Sequence, residues 1–113
     1  MFEKNLAISD LLDEYAPVLS ARHRLLLDYY YNQDLSLSEI ACEIGISRQG
    51  VRDGIKKAEE ELLFMEQCLH LHQKASDMRD AAQKLLSGAD EKTAYAVQAM
   101  LRAAGIEPEE EGV

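Results

Sequence analysis

Five side chains within one short stretch, Arg48, Gln49, Arg52, Lys56 and Lys57, are the part of this sequence best suited to recognising another molecule. A guanidinium can bridge two acceptors on the major-groove edge of guanine, a side-chain amide can pair with adenine, and ammonium groups neutralise phosphate. Ser47 stands immediately before them at the start of the same element and is grouped with them as a candidate nucleic-acid contact. From Ser47 to Lys57 there are four basic side chains against one acidic, Asp53, a local charge of +3. The plainer alternative is a solvated helix face with no partner. Glu59, Glu60 and Glu61 come directly after, where a helix leaving a DNA groove more often presents lysine or arginine to phosphate. That acidic run argues against a conventional repressor.

These residues need an element to hold them, and the stretch Ser36 to Leu63, SLSEIACEIGISRQGVRDGIKKAEEELL, contains one. Ser36 and Glu39 have the spacing of a capping box, each side chain satisfying a backbone N–H that the first helical turn leaves unpaired. Leu37, Ile40, Ala41 and Ile44 then fall on one helical face. Gly45 comes where the helix must stop in a left-handed conformation. Ser47 caps a second helix, with Ile46 and Val51 spaced as a hydrophobic staple. Val51, Ile55, Ala58 and Leu62 carry its apolar stripe. The pattern is a helix-turn-helix, with Ala41 small where the two helices approach. Gly50 and Gly54 each cost about 1 kcal/mol relative to alanine inside the second helix. Either something approaches closely there or the well-capped start tolerates them; tolerance is the reading adopted.

The remaining chain supplies the apolar surface that a bare helix-turn-helix lacks. Leu6, Leu11, Leu12 and Tyr15 predict a first helix ending before Pro17. Ser20 caps a second, Ala21 to about Asn32, with Leu25, Leu26, Tyr29 and Tyr30 as its apolar positions. Tyr29, Tyr30 and Tyr31 are read as core rather than as base-stacking groups. Beyond Arg48 the periodicity continues through Ala58, Leu62, Met65, Leu69, Ala75, Met78, Ala82 and Leu85, with no proline or glycine from Ala58 to Ser87. One long helix, or two with a bend near Leu71–Ser76, would fit; its stripe either folds back or pairs with a second copy or another protein. Asp90 caps a last helix to about Ala104, carrying Tyr95, Val97, Leu101 and Ala104. Gly105 and Pro108 end it, and Glu109–Glu111 form a solvated tail. The division expected is a helix-turn-helix domain over residues 1–75, including the start of the long helix, and a non-independent extension with an acidic tail over 76–113.

Composition narrows the function classes. The fold class is all-α, without strand signals for a wing. The chain of 113 residues has a formal charge of −9. Residues 20–58 hold six basic and five acidic side chains, so that segment is +1 and the rest −10. The far field repels phosphate while one helix attracts it, which fits weak or partner-dependent nucleic-acid binding better than tight solo binding. Cys42 and Cys68 lack CxxC spacing, and no apolar run approaches spanning length, so a reduced, cytoplasmic setting without membrane insertion is expected. Cys68 and His72 share a helical face while His70 points away, so no metal site is expected. No phosphate-cradling glycine loop, nucleophile elbow or HExxH occurs; neither an enzyme nor a cofactor is expected.

The helix-turn-helix stretch, together with the upstream LLLDYYYNQDL, resembles the YlxM-like family of small bacterial proteins, whose motif is similar to region 4 of sigma-70-type factors. Ser36, Glu39, Ile40, Ala41, Gly45, Ser47, Arg48, Gln49, Val51, Asp53, Ile55 and Lys56 carry the likeness, which runs from about Leu11 to Leu69. Gly50, Arg52 and Gly54 stand where the family more often has alanine, an aromatic or histidine, and asparagine. Genes of this family commonly neighbour those of the signal recognition particle pathway. The resemblance therefore implies a regulatory or accessory role there, with DNA or the particle's RNA as partner. The alternative it leaves open is an adaptor that binds a particle component through its acidic surface and long helix.

Overall fold

In a computed structural model, which describes residues 4–107, the chain forms α1 (Leu6–Tyr15), α2 (Ala21–Leu27), α3 (Leu37–Ile44), α4 (Arg48–Leu69), α5 (Leu71–Leu86) and α6 (Glu91–Ala103). No strand occurs among the described residues, and the fold is all-α with a helix-turn-helix at α3–α4. A 3₁₀ turn, Ala16–Val18, succeeds α1, and a π-helical turn, Asp28–Asn32, succeeds α2. Pro108 and the glutamate tail lie outside the described residues. None of the helices is long and apolar enough to cross a membrane.

The local signals act where expected. Ser36 Oγ accepts from Glu39 N at 3.1 Å while Glu39 Oε1 accepts from Ser36 N at 3.0 Å, completing the box at the start of α3. These bonds favour the ionised carboxylate and hold the Glu39 pKa below its ordinary value. Gly45 ends α3 at φ +82°, and the N–H groups of Gly45 and Ile46 both return to the Ala41 carbonyl. Asp90 caps α6 by accepting from Thr93 N at 2.7 Å. α1, for which sequence reading named no cap, is capped by Asn5, whose Oδ1 accepts from Ala7 N at 3.0 Å.

Described residues up to His70 form one unit and those from Leu71 a second. In the first, α1, α2 and α3 all pack on α4. Ile8, Leu11, Leu12 and Tyr15 come from α1, Leu26, Leu27 and Tyr30 from α2 and the π-turn, Ile40 from α3, and Val51, Ile55, Ala58 and Leu62 from α4. Two sequence assignments shift. Leu6 is exposed and Ile8 takes its place; Leu25 is exposed and Leu27 buried. The run Leu25–Leu26–Leu27 offers two registers of one periodicity, and packing against α4 selects between them. Tyr30 is buried, while Tyr29 and Tyr31 pack half-buried on the same core.

The long helical pattern is two helices. His70 adopts φ +54°, and its N–H donates to the Glu66 carbonyl at 2.8 Å, ending α4 without a glycine or proline. Left-handed backbone at a non-glycine residue is uncommon and carries no composition signal. In the second unit, α5 and α6 enclose a small cluster of Ala75, Ala82, Val97, Leu101 and Ile106. Met78, Leu85, Tyr95 and Ala104, expected on apolar faces, are exposed.

Gly54 is not merely tolerated. A Cβ there would stand 2.5 Å from Cδ1 of Leu26, a side chain only 1% exposed and held in the core. At Gly50 the nearest atom would be 3.2 Å away, the cap hydroxyl of Ser47. Alanine in a helix gains about 1 kcal/mol over glycine, but forcing a methyl into a packed contact costs about 1–3 kcal/mol. Gly54→Ala is therefore expected to lower the thermal midpoint, measured by circular dichroism. Leu26→Val should lower it alone yet raise it in the Gly54→Ala background. Gly50→Ala should fall well short of the Gly54→Ala loss.

Candidate nucleic-acid interface

The geometry of this face begins with what is buried behind it. Val51, Ile55, Ala58 and Leu62 are each 0% exposed, so the opposite side of α4 must face solvent. Arg48, Arg52 and Lys56 occupy one i, i+4 row, and Gln49, Asp53 and Lys57 the adjacent one. Ser47 and all six of these residues are exposed. The sequence-derived candidates are thus brought together on one continuous ridge over the first turns of α4.

Ser47 and Gln49 already have partners within α4. Ser47 Oγ accepts from Gly50 N at 3.0 Å, so its hydroxyl serves first to start the helix on which the cations stand. Gln49 Nε2 donates to Asp53 Oδ1 at 2.9 Å along the helix surface. Reading adenine with Gln49 requires that amide to leave Asp53. Asp53 also places one carboxylate inside the ridge, opposing any phosphate that approaches Arg52 or Lys57.

The acidic run after the ridge has a different part from the one its sequence suggests. Glu59 accepts from the Tyr31 hydroxyl, and Glu61 Oε2 accepts from His23 Nδ1–H at 2.9 Å. One turn further, Glu66 Oε1 accepts from the Tyr15 hydroxyl at 2.6 Å. Glu59, Glu61 and Glu66 are half-buried, and only Glu60 of the triplet is exposed. Two of the three carboxylates are therefore ties between α4 and the helices before it, not a solvent-facing screen. The spacing of Glu59 and Glu61 beside Ala58 and Leu62 carries that information only once the packing partners are known.

Burial raises the Glu59 pKa, and the hydrogen bond from Tyr31 opposes that shift. The Tyr31 hydroxyl is pushed well above the usual phenol value by burial and by its bond to Glu59. Tyr31 Oη also accepts from Asn5 N at 3.3 Å, so one hydroxyl links the cap of α1 to α4. Lys4 pairs with Asp34 and lies 4.8 Å from the Tyr30 ring centre. Tyr30 and Tyr31 meet edge to face at 5.3 Å. Lys4, Asn5 and Tyr31 thus steady the loop that leads into α3; sequence reading assigned them no such role. The one available signal was Asn5, a capping residue just ahead of an apolar run.

The sequence is similar to known proteins over most of its length. The model of a family described as "UPF0122: Putative helix-turn-helix protein, YlxM / p13 like" matches residues 2–100. A UPF0122 protein of Limosilactobacillus fermentum is 47% identical over 70 residues, covering 62% of this chain and 62% of that protein. One from Lacticaseibacillus casei is 38% identical over 85 residues, 75% of each chain. One from Clostridium kluyveri is 41% identical over 78 residues, 69% of this chain and 70% of the relative. The match to the L. fermentum protein thus spans less than two thirds of its length.

The Glu59–Tyr31 bond has a testable sign. A folded-state pKa above the unfolded value favours folding most at low pH. That contribution is lost as pH rises through the folded pKa. Glu59→Gln keeps an acceptor for Tyr31 and removes the half-buried charge. Its thermal midpoint should equal or exceed the parent's near pH 7, and the difference should shrink or reverse toward about pH 4, near the ordinary glutamate pKa. Glu59→Ala, which leaves the Tyr31 hydroxyl without this acceptor, should melt lower than Glu59→Gln at both pH values.

Proposed function

The chain belongs to the UPF0122 family of YlxM / p13-like helix-turn-helix proteins, and from that premise we propose that it is a non-enzymatic, cytoplasmic regulatory protein whose α4 binds nucleic acid. Arg48 and Gln49, nearest the start of the helix, contact base edges. Arg52, Lys56 and Lys57 contact phosphate, and Ser47 fixes the start from which all are projected. The observation that supports this most is the outward row of cations on a helix whose inner face is wholly buried. Such a helix can enter a groove without losing its own packing.

The acidic balance of the chain sets the strength of binding. Long-range repulsion slows approach, and the local +3 of Ser47–Lys57 acts only at close range, within about one Debye length (~8 Å at physiological salt). The result is weak binding, or binding assisted by a partner. The likeness to YlxM-like proteins supports a setting in the signal recognition particle pathway, with DNA or the particle's RNA as target. A second reading, favoured by the net charge of −9, is an adaptor for a particle component. Self-association would use α5, where Met78 and Leu85, seven residues apart, are both exposed.

Fluorescence anisotropy on fragments enriched by genomic selection, and on the particle's RNA, tests the leading reading. The double change Arg48→Glu with Arg52→Glu should weaken binding by about a hundredfold at 50 mM salt and flatten the salt dependence by about two phosphate equivalents. The thermal midpoint should hold, since both side chains are exposed. Unchanged affinity at low salt defeats the nucleic-acid reading and leaves the adaptor.

A further inference from the structure

We propose that the groove between α1 and α2 is a docking site for a basic amphipathic helix of a partner protein. The groove is open to solvent and has a volume of about 440 Å³. Leu12, Ala16, Ala21 and Leu25 form its apolar lining. Leu12 belongs to the core at 3% exposure, whereas Leu25 is 39% exposed on the same face. The two alanines keep the wall low, so an incoming side chain meets Leu25 and the alanine methyls. A cavity of this size takes one or two large apolar side chains, the anchors by which an amphipathic helix seats in a groove.

Charge selects the occupant. Asp13, Asp28 and Arg24 are its charged lining residues, two acidic against one basic. Asp28 is held in place, its two oxygens accepting from Asn32 Nδ2 and Gln33 Nε2 at 2.8 Å each. Asp10, one turn before Asp13 on α1, is exposed as well. Outside Ser47–Lys57, residues up to His70 carry twelve acidic side chains and three basic ones, Lys4, Arg22 and Arg24. A second copy meeting it symmetrically would bring the same anionic face against itself, and nucleic acid would meet repulsion here. A helix with leucines on one side and lysines flanking them meets both the apolar lining and its acidic residues. The groove uses helices other than the one that carries the cations, so docking here is independent of nucleic-acid binding by α4.

The test is a titration of the full chain, monitored by amide NMR shifts, with a synthetic peptide of about 15 residues, near the minimum for a stable helix. The peptide carries leucines at i, i+4 and i+7 with flanking lysines; its isomer carries glutamates instead. The lysine peptide should shift the amides of Leu12, Ala16, Ala21 and Leu25 and bind about tenfold tighter than the glutamate peptide at low salt, where exposed charges are least screened. Leu25→Asp and Asp13→Lys, each at an exposed position and checked for an unchanged melt, should weaken it about fivefold or more. Equal binding of the two peptides overturns the proposal, as does no shift at millimolar peptide. Shifts confined to Leu63 and Phe64, two exposed apolar side chains of α4, would overturn it too. Movement of the groove amides with protein concentration alone would assign the groove to a second copy and overturn it likewise.

Discussion

Burial of one stripe on α4 is the constraint on which the rest depends. Val51, Ile55, Ala58 and Leu62 have no exposed surface, and α1, α2 and α3 exist in their observed places because each covers part of that stripe. The stripe contributes on the order of 1.5–3 kcal/mol for each fully buried branched side chain. It also fixes rotation. A helix whose inner face is sealed on three sides cannot turn about its axis, so the cations on its outer rows keep one heading. Stability and presentation are thus two results of the same packing.

Close approach adds to that constraint. At Gly54 the helix comes so near α2 that Leu26 occupies the space a Cβ would need. A glycine that looks like a weakness in the helix is the condition for seating Leu26 in the core. Around the same axis the ties at Glu59, Glu61 and Glu66 draw Tyr31, His23 and Tyr15 onto α4. Carboxylates in a chain of this charge are not all solvent groups. Glu59, Glu61 and Glu66 hold helices together through hydrogen bonds while keeping their charge.

Features decided by near neighbours were legible in the sequence. The box at Ser36 and Glu39, the left-handed Gly45, the caps at Ser47 and Asp90 and the outward position of Arg48 to Lys57 are all set by spacing within one or two turns. Features that depended on distant partners were not. Gly54 answers to Leu26 and Glu59 to Tyr31, each 28 residues away, and Lys4 reaches Asp34 across 30. The choice of Leu27 over Leu25 needed the surface of α4. The end of α4 at His70 had no composition signal, because neither glycine nor proline marks it.

That left-handed residue has a consequence for how the chain tolerates change in length. Each residue added to an α-helix advances everything after it by about 100°. An insertion between Lys57 and Leu62 would therefore twist Leu62 and Glu66 out of phase with Val51, Ile55 and the cations, and break the stripe in two. An insertion after His70 begins a new helical count and leaves the heading of Arg48, Arg52 and Lys56 as it was. His70 acts as a phase break: the helical count of α4 stops there, and α5 starts its own.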